Sequence, residues 1–262
     1  MTLRQLSPSI DTHAHVFHRG LALSDSRRYT PTYDADTSDY LAQLDRHGVA
    51  RGVLIQPSFL GTDNSYLLGA LAQHPERLRG VVVLDPRQDH DLEKLNAQGV
   101  RGIRLNLIGV TPPDLDSRVW RALEKRMGEL GWHLEVQARG RQWDELTDSL
   151  TRWSSSVVID HLGLPARNDF QARKTVATLA ALEHVWVKVS APYRSEVPER
   201  ALAELLDTTG PARMLFGSDW PFTGHETNCS TSALTAWARK QLGEATFTAT
   251  LPANAQRLLQ WK

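Results

Sequence analysis

The stretch Ile10-Asp11-Thr12-His13-Ala14-His15-Val16-Phe17 predicts a β-strand close to the start of the chain. Isoleucine, threonine, valine and phenylalanine favour extended backbone. Because side chains alternate along a strand, Asp11, His13 and His15 are expected on one face. Two imidazoles on one face can hold a metal ion or an anionic oxygen. A short strand with histidines and no ligand is the alternative, and the rest of the chain decides between the two.

Seven further apolar runs follow this strand, and helical patterns separate them. The predicted strands are residues 10–16, 52–56, 80–84, 102–107, 133–137, 157–161, 185–189 and 214–219. The predicted helices are residues 37–47, 64–73, 91–97, 116–130, 142–152, 169–182, 198–208 and 231–242, followed by one or two more within 244–260. Strands that alternate with helices pair in parallel through crossover connections.

Eight such units are the number that closes a (β/α)8 barrel, and 262 residues suit one barrel. An open, doubly wound sheet is the alternative. No Gly-x-Gly-x-x-Gly motif follows any predicted strand, which disfavours a dinucleotide-binding version of that sheet. The sequence therefore predicts an α/β fold, a TIM barrel that forms a single domain over residues 1–262.

Composition argues against several classes of protein. Hydrophobic residues make up 41% of the chain, enough for a large core. Lysine plus arginine and aspartate plus glutamate number 30 each, so the formal net charge is zero and nucleic-acid binding has no support. Cys229 is the only cysteine, so no internal disulfide can form. No apolar run reaches the ~18 residues of a membrane span.

Residues 1–9 carry Arg4 and lack the apolar core of a secretory signal. The expected location is therefore the cytoplasm, and the expected partner is a small molecule rather than a membrane or a nucleic acid. A homodimer is one assembly that the sequence permits.

Polar residues gather at the predicted carboxyl ends of the strands, where barrel enzymes place their active sites. They are His13, His15, Gln56, Ser58, Arg104, Asn106, Gln137, His161, Ser190, Arg194 and Asp219. Any one of them has a structural explanation, such as the capping of the next helix.

Arg104 is harder to explain in this way, because an unpaired guanidinium inside an apolar strand is costly. Its anion is either a structural carboxylate, such as Asp85 or Glu135, or a substrate. Lys188 is interpreted as reaching an acidic neighbour, and His133 is expected at the far, stabilising end of the barrel.

His-x-His on the first strand, a histidine on the sixth and an aspartate on the eighth together resemble the amidohydrolase superfamily. Residues 10–17, Val158-Ile159-Asp160-His161-Leu162-Gly163 and Phe216-Gly217-Ser218-Asp219-Trp220-Pro221 carry the resemblance, which extends to residues 253–258. Residues 56–64 and 102–106 look like the branch of 2-pyrone-4,6-dicarboxylate lactonases, which open cyclic esters during aromatic breakdown. The resemblance implies a lactone hydrolase in which Asp219 is the general base and His13, His15 and His161 polarise the carbonyl group.

The resemblance leaves the metal content open. The fourth strand offers no lysine for carbamylation, and Gln137 replaces the histidine that ends the fifth strand of binuclear members. A binuclear centre is therefore not expected. One divalent ion, zinc or a similar metal, held by His13, His15, His161 and Asp219 is one alternative, and a metal-independent enzyme is the other.

The resemblance also implies a binding site for a carboxylated ring. The expected substrate-binding residues are Arg104, Arg194, Tyr29, Ser58, Asn106 and Gln137. Val110 and Leu164 stand where this branch has arginines, and Gln137 stands where it has a tyrosine. Because these changes remove partners for a second carboxylate, a lactone with one carboxylate is expected.

Two other functions fit the same residues. A related mononuclear-metal decarboxylase or hydratase that acts on an aromatic-type acid would use the same histidines and Asp219. A barrel that binds a small acid without turnover is the second alternative, and it has no need of a free carboxylate base.

Overall fold

The computed structural model of the protein describes residues 9–261. Eight strands pair in parallel in the order of the chain. They are β1 (Ile10–Ala14), β2 (Arg51–Ile55), β3 (Leu78–Val82), β4 (Val100–Asn106), β5 (His133–Gln137), β6 (Ser156–Ile159), β7 (Val185–Ser190) and β8 (Met214–Gly217). The predicted TIM barrel is confirmed.

Helices follow the strands and cover the outside of the barrel. Within residues 9–261 they are α1 (Thr37–Arg46), α2 (Ser65–Gln73), α3 (Leu92–Ala97), α4 (Arg118–Glu129), α5 (Gln142–Thr151), α6 (Phe170–Ala180), α7 (Pro198–Thr209), α8 (Thr231–Leu242) and α9 (Leu251–Leu259). Of the helices in this range, none has both the length and the apolar character that a bilayer crossing requires.

The floor of the barrel is apolar. Inward-facing side chains of the strands pack there against α9 and Trp261. The cluster comprises Ile10, Val53, Ile55, Val81, Val158, Trp186, Leu215, Ala255, Leu258, Leu259 and Trp261. Burial of this many large side chains stabilises the lower half of the barrel. The barrel can therefore tolerate the polar side chains of its upper half, which pack less favourably.

The barrel closes where β8 meets β1. The N–H of Asp219 donates to the carbonyl oxygen of His13 at 2.8 Å, and the N–H of His15 donates to that of Trp220 at 2.8 Å. The carboxylate of Asp11 adds to the closure, since it accepts hydrogen bonds from the backbone and the hydroxyl of Ser218 at 2.8 and 2.6 Å. The two ends of the chain that carry the candidate site are thus joined side by side.

Asp11 does not share a face with His13 and His15, so that expectation is wrong. The pairing of β1 with β2 shifts between Asp11 and Ala14, which is the signature of an extra residue in β1. Such a bulge reverses the alternation of side chains beyond it. Asp11 contacts the hydroxyl of Tyr40 on α1 at 3.1 Å, outside the sheet, whereas His13 lies among side chains of the barrel interior.

The strands β1, β6 and β8 each end two residues earlier than predicted, before His15, His161 and Asp219. His161 and Asp219 have φ angles of 51° and 58°, so the backbone leaves the extended conformation there. Leu162, Leu164 and Ala191 also adopt positive φ angles in the loops after β6 and β7. For residues other than glycine this conformation is strained by roughly 1–3 kcal/mol each. The strain is concentrated in the loops that carry the site.

Candidate functional site

A pocket of about 250 Å³ opens at the carboxyl ends of the strands. Nine of the ten predicted site residues line it, namely His15, Tyr29, Ser58, Arg104, Asn106, Gln137, His161, Arg194 and Asp219. His13, the tenth, is fully buried beside Asp219. The structure therefore brings all ten candidates to one place.

The three histidines and Asp219 meet at the base of this pocket. Nε2 of His13 and Nε2 of His15 each lie 3.6 Å from Oδ1 of Asp219. The ring centroids of His13 and His161 are 4.7 Å apart. Residues that are distant in the chain converge because closure of the barrel makes β1 and β8 neighbours.

Hydrogen bonds orient the histidine rings. Nδ1 of His15 lies 2.7 Å from the carbonyl oxygen of Ile55. Since a carbonyl oxygen only accepts, this nitrogen carries the proton and donates it. Nδ1 of His161 lies 2.8 Å from the hydroxyl of Ser190. Burial lowers the pKa of His161 to about 4 and holds the pKa of His13 well below its usual range, so both rings are neutral near pH 7.

The two oxygens of Asp219 have different surroundings. Oδ2 accepts hydrogen bonds from the hydroxyl of Tyr193 at 2.6 Å and from Nε of Arg194 at 2.7 Å. Burial alone would raise the pKa of Asp219, but the charge of Arg194 holds this pKa well below its usual range. The carboxylate is therefore ionised, with Oδ2 held in place and Oδ1 directed towards the histidines.

Below the pocket lies a group of buried charged side chains, here called the buried cluster: Arg104, Glu135, Asp160 and Lys188. Nζ of Lys188 donates to Glu135 and lies 3.3 Å from Oδ1 of Asp160. Nη2 of Arg104 lies 3.5 Å from Oδ2 of Asp160, and its Nε lies 3.8 Å from Oε1 of Glu135. Two cations thus balance two carboxylates inside the barrel.

This arrangement answers two questions that the sequence left open. Lys188 reaches acidic neighbours, although it does so from the barrel interior and is almost fully buried. The nearest carboxylates to Arg104 are Asp160 and Glu135, whereas Asp85 pairs with Arg87 at 2.8 Å. His133 begins β5 and is also buried, with Nε2 3.7 Å from Oε2 of Glu135.

Distances admit one metal ion at the base of the pocket. Ligand atoms of His13, His161 and Asp219 lie within 4.8 Å of one another, and Nε2 of His13 is buried without a hydrogen-bond partner within the described residues. The second group with suitable spacing is His13, Glu135 and Asp160. An ion there would have to displace the ammonium group of Lys188, which already contacts all three.

Charges oppose a metal at the first position. Nζ of Lys188, which only donates, lies 3.0 Å from Nδ1 of His13. This contact favours the tautomer with the ring proton on Nε2, in which that atom is a donor instead of a ligand. Arg194 already neutralises Asp219. The types of ligand atom and their spacing suit a small divalent ion. The positive charges of Lys188 and Arg194 and this tautomer of His13 oppose its binding.

Hydrogen bonds connect most of the predicted substrate-binding residues to protein groups. Oε1 of Gln137 accepts from Arg104 at 2.8 Å, and Arg194 also donates to the carbonyl oxygen of Thr223 at 2.9 Å. The hydroxyl of Tyr29 donates to Glu226 at 2.6 Å, which joins the loop after β1 to the loop after β8. Ser58 begins a single 3-10 turn at the pocket wall. The pocket wall is therefore largely prearranged.

Two residues of the site escaped the sequence analysis. Arg28 lines the pocket from the long segment after β1, and Nη2 of Arg28 donates to Oδ1 of Asn106 at 3.0 Å. Tyr193 holds Asp219 and directly precedes Arg194. The only signal in the sequence for either residue is its place beside a candidate, since Arg28 adjoins Tyr29.

Comparison with known proteins gives consistent matches over the whole barrel. The family described as Amidohydrolase matches residues 10–261. The 4-sulfomuconolactone hydrolase of Rhizobium radiobacter is 31% identical over 82% of this chain and 76% of its own. The 2-pyrone-4,6-dicarboxylate hydrolase of Comamonas testosteroni is 30% identical over 81% of this chain and 76% of its own.

One solved structure extends the likeness to three dimensions. It comes from Acinetobacter baumannii, is described as a probable 2-pyrone-4,6-dicarboxylic acid hydrolase, and contains citric acid. Its TM-score is 0.90 and its identity is 31%, and the match covers 96% of this chain and 99% of that one.

Proposed function

Since the chain belongs to the amidohydrolase family and is a lactone hydrolase, we propose that it opens the ring of an acidic lactone with Asp219 as the general base. The observation that carries this proposal is the position of Asp219. Its Oδ1 lies 3.6 Å from two histidines at the base of the pocket, while Arg194 and Tyr193 hold Oδ2. A fixed and ionised carboxylate beside a pocket can take a proton from a bound water.

The reaction requires one proton to move twice. Oδ1 of Asp219 takes a proton from water as the water oxygen bonds to the lactone carbonyl carbon. The bond between this carbon and the ring oxygen then breaks, and the proton passes from Asp219 to the ring oxygen. The products are a carboxylic acid and a hydroxyl group on the same molecule.

The imidazole of His13 can stabilise the negative charge that develops on the carbonyl oxygen. Nε2 of His13 carries the proton that its contact with Lys188 leaves there, so it can donate to this oxygen. A donor aimed at the developing charge is typically worth a factor of roughly 10²–10³ in rate. His15 and His161 complete the wall around the reacting atoms, and Arg104, Asn106, Gln137, Ser58, Tyr29 and Arg194 hold the substrate in position.

We also propose that the chain forms one domain, since the family match runs from residue 10 to residue 261. The proposed partner is a small acidic molecule, bound in the pocket at the carboxyl ends of the strands.

A panel of lactones tests the proposed function. We expect purified protein to release protons from acidic five- and six-membered lactones, measured with a pH indicator, at a higher kcat/KM than from neutral lactones of the same ring. Release of carbon dioxide from an aromatic acid, with no lactone opened, would instead assign the decarboxylase activity.

Removal of metal gives a second prediction. Because Lys188 and Arg194 place positive charge beside His13 and Asp219, we expect chelator-treated protein, with its metal content measured by mass spectrometry, to keep its lactonase activity within about twofold. Addition of zinc should not raise that activity. Loss of activity on chelation, with recovery when zinc is restored, would show that an ion binds despite these charges and that the proton of His13 lies on Nδ1.

A further inference from the structure

The charged groups of the site do not balance. Four cations, Arg28, Arg104, Arg194 and Lys188, line the pocket or belong to the buried cluster, together with three carboxylates. Arg104 and Lys188 face Glu135 and Asp160, and Arg194 faces Asp219. Of these four cations, Arg28 is the one that faces no carboxylate within the described residues.

Arg28 lacks an anionic partner in the part of the chain that the structure describes. Its hydrogen-bond partner is the neutral amide of Asn106, at 3.0 Å. Burial and the nearby charge of Arg104 both lower the pKa of Arg28, as expected for a cation placed near another cation without an anion. An arginine remains charged under these conditions, so the site offers an unused guanidinium.

The position of Arg28 is nevertheless well defined. Its side chain crosses Gly109 in the loop after β4, where an added Cβ would lie 3.3 Å from Cδ of Arg28. Gly109 has a φ angle of 78°, a conformation that favours glycine. The aliphatic part of Arg28 thus packs on Gly109, and its guanidinium bonds to Asn106, the last residue of β4.

We propose that Arg28 binds the anionic substituent of the substrate, a carboxylate or a sulfonate, on the β4 side of the pocket. This inference rests on the proposed function and names the substrate more closely. It adds Arg28 to the sequence-based assignment, in which Arg104 and Arg194 are the carboxylate anchors, because both of those arginines also face carboxylates of this chain.

The position of this anchor limits where the substituent can sit on the ring. In an eight-stranded barrel with strands in chain order, β4 lies opposite β8. Asp219 follows β8, and the reacting carbonyl must lie beside it. The substrate should therefore carry its anionic group across the ring from the lactone carbonyl.

Three pyrones that differ in the position of the carboxylate on the ring test this expectation. Coumalate has its carboxylate across the ring from the carbonyl, an isomer has it beside the carbonyl, and 2-pyrone has none. We expect the wild-type enzyme to have its lowest KM for coumalate. In Arg28→Gln, KM for coumalate should rise about tenfold, equivalent to about 1.4 kcal/mol, and KM for 2-pyrone should rise much less.

Arg27→Gln is the matched control. Arg27 lies in the same exposed loop and donates to Thr30 and to the carbonyl oxygen of Ser24, and it does not line the pocket. Arg27→Gln removes the same charge from the same loop but changes no residue of the pocket, so its kinetics should match those of the wild type. Because Arg28 is exposed at the pocket mouth, added salt should raise KM for coumalate in the wild type and in Arg27→Gln, but much less in Arg28→Gln. A sulfonate analogue of coumalate decides which anion binds more tightly.

A binding measurement keeps this test separate from the proposed function. Benzoate has no bond for a lactonase to hydrolyse, and its affinity can be measured by calorimetry. We expect about tenfold weaker binding to Arg28→Gln than to Arg27→Gln or the wild type. If no lactone is opened but this difference is found, the proposed chemistry is wrong and the anchor stands. Equal affinity for benzoate in all three proteins, or equal KM for coumalate, would overturn the anchor.

Discussion

Replacement of Asp219 by asparagine is expected to lower kcat for the best lactone by roughly 10²–10⁴-fold, the usual contribution of a general base. The amide of asparagine keeps the size of the carboxylate and can still accept hydrogen bonds from Tyr193 and Arg194. It cannot take a proton from water. The loss should therefore appear in kcat, measured at saturating substrate by proton release.

Binding should move in the opposite direction. Asp219→Asn removes one negative charge and so leaves Arg194 without its carboxylate. Benzoate should then bind at least as tightly as it does to the wild type. Asp207→Asn, an exposed position on α7, is the control for the substitution and should leave kcat unchanged. A kcat near the wild-type value in Asp219→Asn would mean that another group takes the proton.

Lys188→Met is expected to lower the free energy of unfolding by about 3–5 kcal/mol, the usual cost of removing one partner of a buried ion pair. Glu135 and Asp160 would keep their charges inside the barrel, and Arg104, at 3.8 and 3.5 Å, would be the one cation left in the buried cluster. Methionine retains most of the volume of lysine, so the effect of a cavity is small. Urea unfolding measures the difference.

Two further variants isolate the electrostatic cause. Lys174→Met, an exposed lysine on α6, should change the free energy of unfolding by less than about 1 kcal/mol. The double variant Lys188→Met with Glu135→Gln restores the charge balance and should recover part of the lost stability. If Lys188→Met is as stable as Lys174→Met, the carboxylates of the buried cluster are not ionised and the charge count given for the site is wrong.

Patterns of hydrophobicity were sufficient to predict the barrel. Each strand is an apolar run with helical residues on both sides, so the order of elements follows from local sequence. The ends of these runs located His161, Asp219 and Arg104, because the carboxyl ends of parallel strands meet at one edge. That reasoning needs no knowledge of side-chain contacts.

Interactions between distant residues escaped the sequence analysis. The register of β1 shifts between Asp11 and Ala14, and Asp11 bonds to Tyr40 of α1, so strict alternation gave the wrong face for Asp11. Arg28 lies in an irregular loop with no periodicity, and its role depends on charges that the strands β4 to β8 and the loops after them contribute. The partners of Arg104 were uncertain for the same reason, since Asp160 becomes its neighbour only when the sheet forms.

The left-handed backbone of His161 and Asp219 has a consequence for laboratory evolution of this enzyme. Glycine would relieve the backbone strain at either position, although at Asp219 it would also leave Arg194 without its carboxylate. Both replacements also remove the imidazole or the carboxylate that the proposed reaction needs. Heat resistance alone therefore does not test for the side chains that the proposed reaction needs at these two codons. Selection must score turnover and heat resistance in the same round.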